Sequence, residues 1–218
     1  EAVIYRNFID GAGPRAIGVG YAEGLNLAFD ANQMRLAILW KGDFMDGGRH
    51  WTGRGQGFQP PAGEGTIVFP NGDALARLES PSDPWPNAEE RSSLVKFRGY
   101  QQSKKQYPTF RYSIGKAVFE DFFWPVKTEQ GDWAFDRRIE IKKNGEDLTD
   151  YYLRVGIGAQ DASSHPNSYL LGDTLTCSFK KGLDVILVEK SGHPKSGGDL
   201  RIPLSSFSEV IHLTYFWL

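Results

Sequence analysis

Arg138-Ile139-Glu140-Ile141-Lys142-Lys143-Asn144-Gly145 alternates charged with apolar residues and then breaks on Asn-Gly. Alternation at period two turns both isoleucines to one face and the charges to water, as in a strand with one buried side. Asn-Gly tolerates two successive left-handed conformations, so it predicts a hairpin turn into the next strand. Downstream, Tyr151, Leu153, Val155 and Ile157 line one strand face, with Tyr152 and Arg154 on the other. Leu175, Cys177 and Phe179 alternate against Thr174, Thr176 and Ser178, and Ile211, Leu213, Tyr215 and Trp217 against His212, Thr214 and Phe216. Val185 to Val188 is a continuous apolar run, expected to be buried on both faces. Upstream, Met34, Leu36, Ile38 and Trp40 share one face at period two. Helical patterning is thin: Asn87 to Leu94 follows Pro86 but carries no apolar stripe.

Twenty-five glycines and twelve prolines supply the turns that many short strands require. The expected fold is all-β, one large antiparallel β-sandwich of roughly a dozen strands with little helix. The alternative is two smaller β domains split near residues 83–93. Gln59 to Pro86, rich in Pro and Gly, is read as a long decorated connection with strand-like pieces such as Thr66 to Phe69. The first residue is Glu, which fits a processed protein or a piece of a longer one. A chain that ends on a strand is expected to have reached a domain boundary.

A chain of 218 residues buries roughly 70% of its unfolded surface, enough for a core without staples. With 25 Lys+Arg against 27 Asp+Glu, the balance gives no electrostatic reason to expect nucleic acid. No apolar run approaches the ~18 residues of a transmembrane span. One cysteine, Cys177, excludes an internal disulfide, a thiolate zinc cluster and a Cys-x-x-Cys-His haem attachment within the chain. Cys177 alternates inward and is expected to be a buried, inert thiol.

Chemistry concentrates in the stretch Asp43 to Gln56. Asp43, Asp46, Arg49, His50, Trp51 and Arg54 put two carboxylates, an imidazole, an indole and two guanidiniums on a glycine-rich backbone. Such a loop is poor at building a core and good at presenting side chains, so these six residues are the predicted ligand-binding set. Gly53-Arg54-Gly55-Gln56-Gly57 adds backbone N–H groups that can cradle an anion. Gly18-Val19-Gly20-Tyr21-Ala22-Glu23-Gly24 imitates a dinucleotide fingerprint, but a strand follows it where a helix is needed, so it is read as a hairpin turn. His50, His165, His193 and His212 show no metal-ligand spacing, and neither a metal nor a cofactor is expected. The pairs Asp43 with Asp46 and Glu120 with Asp121 are read as exposed charges. Of six tryptophans, Trp40 and Trp217 fall in register with core faces, while Trp51, Trp85, Trp124 and Trp133 lie where an indole can stack on a sugar ring. Trp85, flanked by Pro84 and Pro86, is expected to be stiffly exposed.

Val3 to Phe8, Gly11 to Ile17, Leu25 to Asp30, Met34 to Ala37, His50 to Gly55, Phe97 to Tyr100 and Pro108 to Tyr112 together resemble a domain of large secreted bacterial proteins. Those proteins also carry c-type cytochrome domains or quinoprotein sugar-dehydrogenase-like domains, and the resemblance covers residues 3 to about 115. The domain is uncharacterised, so no catalytic residue carries over. The resemblance implies a periplasmic or secreted setting and company with carbohydrate or redox chemistry, with haem supplied only by a partner. The expected function is a non-catalytic binding or accessory module that recognises a carbohydrate or docks onto a c-type cytochrome or other redox protein. Two alternatives stand beside it: a carbohydrate-active enzyme using His50 with Asp46 or Glu120 as acid and base, and a structural subunit of a larger assembly.

Overall fold

The structure is a computed structural model that describes residues 1–50, 52, 57–87, 94–162, 167–189, 197–205 and 209–218, with Arg49 and His50 described in backbone alone. Among these residues sixteen strands form, more than the dozen expected. They are β1 (Ala2–Ile9), β2 (Gly13–Tyr21), β3 (Leu25–Asp30), β4 (Arg35–Lys41), β5 (Glu64–Val68), β6 (Leu75–Arg77), β7 (Val95–Gln102) and β8 (Pro108–Ile114). The rest are β9 (Ala117–Lys127), β10 (Trp133–Lys142), β11 (Tyr151–Asp161), β12 (Ser168–Leu171), β13 (Leu175–Phe179), β14 (Ile186–Val188), β15 (Gly198–Pro203) and β16 (Val210–Trp217). The only helical segment among the described residues is a 3-10 turn at Gly47–His50.

The strands build a five-stranded sheet in the order β1-β2-β3-β4-β5, and an eleven-stranded sheet in the order β14-β15-β11-β12-β13-β16-β10-β9-β8-β7, with β6 added onto β11. Every pairing between strands is antiparallel, and the inner faces of the two sheets share one apolar cluster. Across that cluster Phe29 of β3 stacks on Phe110 of β8 at 4.1 Å, and the Tyr21 hydroxyl donates to the Phe123 carbonyl at 3.0 Å. β6, before the Asp83–Ser93 stretch, pairs with β11, after it.

Alternation holds along β9, where Phe119 and Phe123 point into the core and Phe122 and Trp124 point out. It also turns Asp121 inward, so that Asp121 is fully buried rather than exposed. Its carboxylate accepts from Arg137 Nε at 2.9 Å and Nη2 at 2.7 Å. The Tyr112 hydroxyl donates to Asp121 at 3.3 Å, and Arg137 Nη1 donates to the Tyr215 hydroxyl at 3.2 Å. Burial alone would lower the Arg137 guanidinium, but Asp121 beside it holds it well above its ordinary value. The thiol of Cys177, fully buried, is pushed up by that burial, in keeping with an inert cysteine.

Several local readings change. Asn144 and Gly145 adopt the positive φ of a hairpin turn (51° and 80°), yet β10 and β11 do not pair, because both edges of β10 are taken by β9 and β16. The turn docks instead on the β8–β9 connection, where Glu146 accepts from Lys116 N at 2.8 Å and Asn144 Nδ2 donates to Lys116 O at 3.0 Å. In β4 a bulge shifts register between Ile38 and Leu36, so the expected shared face splits: Met34, Leu36 and Leu39 join the main core, while Ala37, Ile38 and Trp40 turn to the far side. Val185 to Val188 is half-buried, since β14 is an edge strand rather than a central one. Gly18 and Gly20 lie within β2, and the turn comes after Tyr21.

Removing one member of the buried ion pair leaves a charge without compensation in the core. Asp121→Ala should therefore cost about 3–5 kcal/mol in urea denaturation, while Asp121→Leu combined with Arg137→Met should recover most of it. A single variant as stable as the parent would show that the pair carries no such strain.

Candidate functional site

The loop singled out in the sequence begins as a structural strap. After β4, Gly42 N donates to Gly24 O at 2.8 Å and Asn26 Nδ2 donates to Gly42 O at 3.0 Å, fixing the exit of the chain. The Trp40 indole N–H donates to the carbonyls of Asp43 (3.0 Å) and Phe44 (3.1 Å), and the two rings stack at 5.9 Å. Phe44 and Met45 thereby cover a small apolar cluster on the outer face of the five-stranded sheet. The glycines of β2 have a reason here: a Cβ on Gly20 would lie 2.8 Å from Phe44 Cγ, and one on Gly18 3.2 Å from Phe44 Cζ. Asp43 and Asp46 are exposed, and Asp46 Oδ1 accepts from Gly48 N at 2.8 Å, starting the 3-10 turn. The side chains of Arg49 and His50, and all of Trp51 and Arg54, lie outside the described residues, as do His165 and His193.

The other candidates scatter. Glu120 faces out on β9 and pairs with Arg111 at 3.2 Å and Lys142 at 3.3 Å. Trp124 stacks on Phe122 at 5.2 Å and lies 5.7 Å from His212, whose Nε2 is 3.3 Å from Asp136. Trp133, 38% exposed, sits under Lys127 at the tip of the β9–β10 hairpin. Trp217 packs against the core edge and donates to Gly65 O at 2.7 Å.

Trp85 stands in the most elaborate setting. It is half-buried rather than exposed, because its indole N–H donates to Asp73 O at 2.9 Å and its ring packs on Ala76, Leu78 and Tyr152. The guanidinium carbons of Arg154 and Arg201 lie 5.2 and 5.3 Å from the ring centre. Asp199 holds both arginines: it accepts from Arg154 Nε at 3.1 Å and Nη2 at 3.0 Å, and from Arg201 Nη2 at 3.0 Å. Arg201 Nη1 donates to the carbonyls of Pro81 (2.6 Å) and Asp83 (2.7 Å), fixing the segment that carries Trp85. The cleft so formed has a volume of about 560 Å³, within the range of small-molecule sites. Arg201 is 2% exposed, and its Nε has no hydrogen-bond partner among the described residues.

Arg154 was visible in the sequence as the polar member of an apolar alternation, and Asp199 and Arg201 as charges spaced two apart around Leu200. Nothing local joins them to Trp85. The pairing of β11 with β15 puts Arg154 opposite Arg201. Among the described residues, no group of three or more His, Cys, Asp or Glu side chains gathers to hold a metal ion, and no helix is long and apolar enough to cross a membrane.

Residues 27–121 match a family described as a domain of unknown function (DUF6797). That stretch is somewhat under half of the chain and includes Trp85, whereas Arg154, Asp199 and Arg201 lie beyond it. No curated protein and no solved structure matches the chain.

If the β2 glycines exist to seat Phe44, Gly20→Ala should destabilise the protein by about 1–3 kcal/mol through overpacking. On a Phe44→Ala background the same change should cost far less. Equal costs on both backgrounds, measured by chemical denaturation, would show that Phe44 is not what the glycine accommodates.

Proposed function

We propose that the chain is a non-catalytic carbohydrate-binding module and that its sugar contact is the Trp85 cleft. In this reading it is a periplasmic or secreted accessory to carbohydrate or c-type cytochrome redox proteins, the setting implied by the resemblance of its N-terminal half. The observation that carries the proposal is one indole with two guanidiniums 5.2 and 5.3 Å from its ring centre, both held by one buried carboxylate, at a cleft of about 560 Å³. An indole offers the apolar face on which the C–H side of a pyranose packs, and planar donors beside it suit ring and exocyclic hydroxyls. Preorganisation supports affinity: the proline flanks, the Asp73 hydrogen bond and the Arg201 clamp fix the ring before any ligand arrives.

Binding is favoured over acid–base catalysis because, of the three carboxylates on the cleft wall, Asp199 and Asp83 are already engaged and only Glu189 is left. Asp199 is held by two arginines, and Asp83 accepts from Ser80 N at 2.8 Å. A general acid needs a proton to give and a nearby base free to take one.

A glycan-array screen followed by isothermal titration tests the reading. Trp85→Ala and Arg154→Ala should each weaken binding of an array-positive glycan by about 1–3 kcal/mol, or roughly 5- to 150-fold, with circular dichroism unchanged. Glycan binding that survives both changes and is lost on Trp51→Ala or Arg54→Ala would return the site to the Asp43–Gln56 loop.

A further inference from the structure

A second cavity of about 630 Å³ opens where the β1–β2 and β3–β4 turns meet the chain after β5. Its floor is polar and buried: Asp30 and Arg35 are 3% and 6% exposed, with Arg35 Nε 3.6 Å from Asp30 Oδ2. Burial lowers the Arg35 guanidinium from its ordinary value, against the pull of Asp30. Its rim carries Phe58, an aromatic 49% exposed and held edge-on by Phe8 at 5.8 Å. An aromatic ring beside buried charged groups repeats the plan of the Trp85 cleft, on different elements.

The two cavities flank the same segment of chain. Asn71 lines both, and a narrow space beneath the same segment is bordered by Arg35 on one side and Arg154 on the other. The segment Phe69 to Ala74 between them is anchored from each end. Arg35 Nη1 donates to Phe69 O at 3.1 Å, and Gly72 N donates to Gln33 Oε1 at 3.0 Å, the same oxygen that accepts from Arg35 Nε at 2.6 Å. At the far end Ala74 accepts from Arg154 N at 2.8 Å and Asp73 from the Trp85 indole. Gly72, at φ 114°, gives the turn a conformation that L side chains rarely adopt. Because the same hydrogen bonds position the ridge and both polar floors, the cavities keep a fixed spacing.

We infer that the two cavities are end subsites of one groove, which takes a linear neutral oligosaccharide laid across Asn71, with Trp85 at one end and Phe58 at the other. The inference rests on the sugar-binding reading of the Trp85 cleft and adds the length of the ligand to it. A single sugar fills one cavity. A chain that reaches the second gains contacts without a second loss of translational freedom, so affinity climbs with length.

Isothermal titration with cello-, xylo-, manno- and chito-oligosaccharides, from disaccharide to hexasaccharide, tests it. For one of these series, affinity should rise by about tenfold or more between the shortest and longest members. Phe58→Ala, at an exposed position, should return the hexasaccharide to disaccharide affinity and leave the disaccharide unchanged, whereas Trp85→Ala should weaken both. Arg154→Ala serves in its place if Trp85→Ala does not fold. Binding that depends on Trp85 but is flat with length, or that grows with length independently of Phe58, overturns the groove and leaves the cleft reading standing. Failure of the wild-type protein to bind any of the four series overturns both.

Discussion

Asp121 of β9 and Arg137 of β10 meet diagonally across the strand pair in the middle of an otherwise aromatic and aliphatic interior, with side chains 0% and 3% exposed. Two ions taken out of water are tolerable only when each finds the other at close range and the remaining donors and acceptors are satisfied. That demand sets where β8 and β16 must lie, since Tyr112 comes from the first and Tyr215 from the second. The Phe123 ring under the guanidinium, 4.9 Å away, completes the surroundings. The four consecutive strands β16, β10, β9 and β8 are thus registered by polar geometry as well as by apolar area.

Arg137 is the innermost of three arginines that border the narrow space beneath Phe69 to Ala74; the others are Arg35 and Arg154. Each is paired with an aspartate, Asp121, Asp30 or Asp199, the last shared with Arg201. These carboxylates offset the repulsion among three guanidiniums that border one narrow space. They leave planar N–H groups to bond carbonyls and to flank Trp85. The groove is therefore an outward continuation of the way the core accommodates charge, and its walls are held by the hydrogen bonds that close the fold.

The fold class was legible because period two dominates: β10, β13 and β16 bury the residues that alternation selects. Readings failed where a feature depends on a distant partner. The Asn144-Gly145 turn formed, but strand pairing was decided by who already occupied β10. The β4 bulge moved Trp40 away from the main core, and Phe44 then explained glycines that looked like a turn. Asp121 looked like an ordinary surface charge beside Glu120 until the pleat turned one in and the other out. The candidate site was half legible. Its tryptophan stood out between prolines, but Asp199 and Arg201 are more than a hundred residues away and meet it only through β11 and β15.

The account places ligand contact at one indole of six. The most direct measurement is a two-dimensional NMR titration of the nitrogen-labelled protein, following the indole N–H resonances as the tightest-binding oligosaccharide is added. The account predicts a saturable shift of the Trp85 indole and of the Arg154 and Arg201 Nε–H signals, with the buried Trp40 indole unmoved. A titration that leaves Trp85 in place while the Trp51 or Trp124 indole shifts would contradict it.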